Sequence, residues 1–144
     1  MTWVLPIEEP LVQPASLRDY KEGGSYDFFI QHGEKKILIR PSFNYIEGQL
    51  DGVRADVLFL GIAGLAKADA ATEEKFFAET VDRVRPRLVV PVHWDNFFSP
   101  LTRPTRGMPR LVERTEVALW RLVKGCEARD IDCAVLPPRA SITL

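Results

Sequence analysis

Asp56-Val57-Leu58-Phe59-Leu60, running straight into Gly61-Ile62-Ala63-Gly64-Leu65, decides the fold class. The apolar run is unbroken by polar positions and too short for a helix of its own, so it reads as a strand buried on both faces. The small residues after it make a tight turn. A helix is expected next, over 72–85. Asp69 or Thr72 can cap it, Glu73 and Glu74 complement the positive end of its dipole, and Phe76, Phe77, Thr80, Val81 and Val84 recur at helical spacing. Pro86 stops it, and Leu88–Val92 is the next strand. A second helix is expected over 109–128, with Pro109 at its first position and a stripe of Leu111, Thr115, Ala118, Leu119, Leu122 and Cys126. Ile131–Leu136 is a last strand, ended by Pro137 and Pro138. Strand, helix, strand, helix, strand is the pattern of a layered α/β unit.

Working outward, Tyr26–Gln31 and Lys36–Arg40 flank His32-Gly33-Glu34-Lys35, a hairpin signal with glycine in the turn. Pro41–Asp51 is a loop, and Thr2–Leu5 reads as a short edge strand. Residues 6–24 are an irregular lead-in, rich in Pro, Gly and charge. The 144 residues make a single domain with no internal repeat.

Composition excludes several function classes. With 46% hydrophobic and 27% charged residues, this is an ordinary globular mixture. A net charge of −1 lacks the basic excess of a nucleic-acid surface. No apolar run reaches the roughly 18 residues of a membrane span, and the N-terminus has no signal-peptide pattern. Cys126 and Cys133 have neither metal spacing nor disulfide-scaffold density, so they read as reduced thiols. A cytoplasmic location is the expectation.

Candidate functional residues follow from topology. Ligands of α/β units bind beyond the carboxyl ends of the strands, and three loops qualify: Arg40–Asn44, Gly61–Leu65 and His93–Phe98. His93, just past a buried strand, is placed to aim its imidazole at a metal or a substrate, or to be a histidine satisfied by one partner. Asp95 either pins the following loop or touches a metal. Trp94, Phe97 and Phe98 either line a substrate pocket or pack beneath the loop. His32 is expected in solvent. Arg40, Arg103, Arg106 and Arg110 read either as scattered surface arginines, the commoner case, or as binders of an anionic group.

The segments Tyr26–Arg40, Pro41-Ser42-Phe43-Asn44, Ala55–Leu65 and Arg85–Asp95 together resemble the C-terminal half of a metallo-β-lactamase-fold hydrolase. The likeness is to the branch of metal-dependent hydrolases without lactamase activity. It implies an α/β fold: the C-terminal half of an αββα sandwich, with one mixed β-sheet and two main helices on one face. On this resemblance His93 matches the last metal-ligating histidine, and Ser42 stands where a bridging Asp is usual. The H-x-H-x-D-H motif, which supplies most zinc ligands, belongs to the N-terminal half, and this chain begins after it. Catalytic zinc takes three protein ligands and an open position. The candidates here are His93, Asp95 and, through water, Ser42. The expectation is therefore weak zinc binding or none in the isolated chain. Two readings stay open: part of a zinc-dependent hydrolase, not competent alone, or a metal-free truncated relative acting as a dimeric binding or scaffolding module. Either way, the sheet face that a second half would cover is expected to be left bare and apolar; Phe28, Ile30, Ile37, Ile39, Val57, Phe59, Val90 and Val92 include the residues that alternate onto the two faces, and half of such a set would be exposed. A homodimer or a separate N-terminal-half partner would cover it, and association through that face is expected.

Overall fold

The chain folds around one mixed five-stranded sheet in the order β1-β2-β3-β4-β5. The structure is a computed structural model that describes residues 9–16, 19, 25–100, 102–136 and 140–143. β1 (Phe28–His32) and β2 (Lys35–Arg40) form an antiparallel hairpin, turned at Gly33 with φ +59°. β3 (Val57–Gly61), β4 (Leu88–Val92) and β5 (Asp132–Cys133) add to β2 in parallel. The solid apolar run at 56–60 thus becomes the central strand, with a covered neighbour on each side. The strand expected at 2–5 lies outside the described residues. β5 is shorter than the run 131–136 that the sequence suggests.

Both helices pack on one face. α1 (Ala70–Phe77) starts at Asp69, not Thr72, because Asp69 has the extended backbone of an N-cap and its carboxylate accepts from the Thr72 amide at 2.8 Å. That hydrogen bond holds the Asp69 carboxyl below its ordinary value of 3.8. Beyond Phe77 the helix widens into a π-turn, Ala78–Asp82. There the buried Thr80 hydroxyl donates to the Phe76 carbonyl at 2.6 Å. α2 (Thr115–Glu127) begins later than the apolar stripe implied. Pro109 instead opens a separate turn, its carbonyl accepting from the Val112 and Glu113 amides. Arg114 leaves helical geometry at φ −90°, ψ 77°, and Leu111 is fully exposed, so it contributes nothing to the buried stripe. α2 ends in a Schellman motif: Asp130 is left-handed at φ +55°, its amide bonds the Glu127 carbonyl, and the Ile131 amide bonds that of Cys126.

The register sorts the sheet into two unlike faces. Phe29, Leu38, Leu58, Val89 and Cys133 align on the helix side. Leu38, Leu58, Leu60 and Val89 form one core there with Phe76, Phe77, Val81, Ala118, Leu122 and Cys126. Each such fully buried side chain contributes about 1.5–3 kcal/mol. The helices meet where Gly125 lies against the Phe77 ring; a Cβ at Gly125 would sit 2.1 Å from Phe77 Cζ. The opposite face carries Phe28, Ile30, Ile37, Ile39, Val57, Phe59, Leu88, Val90 and Val92. Neither helix packs on that side, yet Val57 and Val90 are only 1% and 2% exposed there, so the bare face expected of a lone half is covered at its centre and open only towards β1.

Candidate functional site

The three loops at the carboxyl ends of β2, β3 and β4 come together. Gly61 makes this possible: an added Cβ would lie 2.2 Å from the Pro41 carbonyl oxygen and 2.9 Å from the Ser42 amide nitrogen. The chain after β2 therefore crosses directly over the end of β3. Phe43 then turns inward, stacks on Phe76 with centroids 4.6 Å apart, and touches Gly64. The Ile62 amide bonds the Val92 carbonyl at 3.2 Å, which joins the second loop to the third.

His93 stands at the end of β4 on the exposed rim. Its φ is +55°, the left-handed region that a non-glycine residue occupies only against a steric cost. Its ring lies 5.8 Å from that of Phe97, which in turn lies 4.5 Å from Phe98. Phe97 and Phe98 are exposed, so these three rings form a surface cluster. Trp94 goes the other way, packing against the core, and its carbonyl accepts from the Thr115 hydroxyl at 3.2 Å. Asp95 pairs through its backbone with Gly107, so it helps close the 95–107 loop. The Ser42 hydroxyl accepts from the Asn44 amide at 3.2 Å and caps its own turn. His32, at the hairpin tip, is exposed as expected.

These positions bear directly on zinc. Among the described residues no three His, Cys, Asp or Glu side chains converge closely enough to hold a metal ion. Ser42 is a neutral donor already engaged in its turn, and Asp95 belongs to a loop closure. Among the described residues, His93, Asp95 and Ser42 do not converge with other ligands into a three-donor set. Nor is any helix among the described residues long and apolar enough to cross a membrane.

Sequence reasoning misjudged one residue of this rim. Arg40 is only 3% exposed, not a surface arginine. Its guanidinium bonds Asp27 at 3.2 Å and the Asn44 carbonyl at 2.6 Å, while Nε is buried without a partner. Burial pushes Arg40 below its ordinary value, opposed by the Asp27 carboxylate. The hairpin register puts Asp27 beside Arg40, so the pair was legible once β1 and β2 were aligned. A cleft of about 490 Å³ continues from Asp27 along the helix side of the hairpin, lined by Phe29, Lys36, Leu38, Leu50 and Arg54 among others. It exists because the helices cover the sheet from β3 outward and leave the hairpin to the 49–54 turn.

No protein-family model, curated protein or solved structure matches this chain.

Proposed function

We propose that this chain is one layer of a two-layer hydrolase of the metallo-β-lactamase type, the C-terminal half of an αββα sandwich. A second β-layer docks on its helix-free face, and His93 is the ligand this half brings to a zinc site completed across the junction. The observation that carries the reading is His93 itself: exposed, at the carboxyl end of a central parallel strand, and held in a left-handed conformation that stability does not favour. Backbone strain of this kind clusters at functional positions. On the helix-free face the exposed apolar surface lies at β1, where Phe28 and Ile30 are 57% and 46% exposed, while Val57 and Val90 are already covered. A single strand of some 16 Å, about 4.8 Å from its neighbour, offers a footprint on the order of 100 Å². That is well below the ~800 Å² per partner of a standard interface. In this reading the partner must therefore extend beyond β1, displacing what now covers Val57 and Val90.

A second reading rests on the shortage of metal donors. In it the chain is a metal-free relative that pairs with a second copy as a binding or scaffolding module. One experiment separates the two. Light scattering and elemental analysis are run on the purified chain alone and co-expressed with a half carrying H-x-H-x-D-H. The hydrolase reading expects stoichiometric zinc only in the complex, lost in His93→Ala and kept in His32→Ala. The scaffold reading expects a stable zinc-free homodimer. A monodisperse zinc-free monomer that ignores the added half refutes both.

A further inference from the structure

We propose that Cys126 and Cys133 are a modification site: a dithiol built to close into an intramolecular disulfide that ties α2 to the sheet edge. The inference is independent of the proposed hydrolase role. Three placements carry it. Cys126 lies in the last turn of α2 and is fully buried in the core. Cys133 pairs with Val89 in β5, so its side chain is on the helix side, packed against that same core and half-buried. The Schellman turn over 128–130 reverses the chain between them, with the Ile131 amide on the Cys126 carbonyl at 3.1 Å. Both thiols are free, and Cys133 packs against the cluster that buries Cys126.

Burial makes the two sulfurs unlike: Cys126 is fully enclosed, whereas Cys133 is half-buried. The neighbouring Cys133, with burial, pushes the Cys126 thiol up, and the neighbouring Cys126 lowers Cys133. Cys133 is thus the readier thiolate and also the more accessible sulfur, the two properties that select an attacking thiol. The oxidant is a small-molecule disulfide such as oxidised glutathione. The Cys133 thiolate attacks one of its sulfurs, forming a mixed disulfide and expelling one glutathione thiolate. Cys126 then gives up its proton and attacks Cys133 Sγ, and the second glutathione thiolate leaves. The protein loses two electrons and two protons, and one glutathione disulfide becomes two thiols. The bond closes a short loop and anchors a β5 of only two residues, Asp132–Cys133.

The folded chain, freshly reduced, is incubated for a day with oxidised glutathione at about pH 8, then alkylated in denaturant and weighed intact. The expected product is a monomer about 2 Da lighter that takes up no alkylating reagent and melts about 3–5 °C higher than the reduced chain. Cys126→Ser is expected to stop at a stable glutathione adduct on Cys133, and Cys133→Ser to remain largely unmodified. Two alkylated thiols in the wild-type chain, an adduct that never resolves, or a disulfide between two copies overturns the proposal. If either variant fails to fold, the wild-type mass and melting shift still decide it.

Discussion

Replacing His93 by glycine is expected to make the protein more stable, and that outcome tests whether this position is held for a reason other than folding. His93 has φ +55°, and its side chain is exposed, with its ring near that of Phe97. A left-handed backbone costs a non-glycine residue roughly 1–2 kcal/mol. Glycine removes that cost but loses about 0.5–1 kcal/mol more conformational entropy on folding. The net gain for His93→Gly is about 0.5–1 kcal/mol. His93→Ala keeps the strain and removes only an exposed ring, so it should stay within about 0.5 kcal/mol of wild type. In a domain of this size 1 kcal/mol is about 3–5 °C in Tm. Urea unfolding of both variants measures the difference as a shift in midpoint at constant slope. Arg85→Gly is the internal control, since the exposed Arg85 has φ +53° with no proposed role, and it should gain a similar amount. If His93→Gly proves less stable than His93→Ala, the left-handed backbone is not strained, and the link from strain to function at this residue fails.

Gly61→Ala should destabilise the protein by about 1–3 kcal/mol in the same assay, because its Cβ would meet the Pro41–Ser42 backbone at 2.2–2.9 Å, and backbone cannot rotate away. Gly125→Ala, a change that favours an isolated helix, should lower stability too, since the new methyl meets the Phe77 ring; a rise in Tm would mean that α1 and α2 are not in contact there. The Asp69 carboxyl is held below 3.8 in the folded chain, so its contribution is present above about pH 4 and lost as pH falls through the folded value. Thermal melts should therefore show Asp69→Asn further below wild type at pH 7 than at pH 3, and an equal gap at both values would mean that the carboxylate does not cap α1.

Much of the fold was legible because it is local. The run at 56–60 reads as a buried strand and the spacing of Phe76, Phe77 and Val81 as a helix, with its start left between Asp69 and Thr72 until the structure chose Asp69. The stripe beginning at Leu111 misplaced the start of α2, since an apolar residue in sequence need not be buried: Leu111 is fully exposed and Arg114 breaks the helix ahead of Thr115. The list of sheet residues from Phe28 to Val92 was readable, but only the register put them all on one face.

The chain by itself determined its class, its element order and the three loops that share one edge of the sheet, because periodicity and turn chemistry act within a few residues. Tertiary structure alone decided the rest. It drove Arg40 inward against Asp27, sent Trp94 to the core while leaving Phe97 and Phe98 outside, twisted His93 into a left-handed backbone, and brought Cys126 to Cys133. Each of these depends on what packs opposite, and a sequence does not state which distant residue will be there.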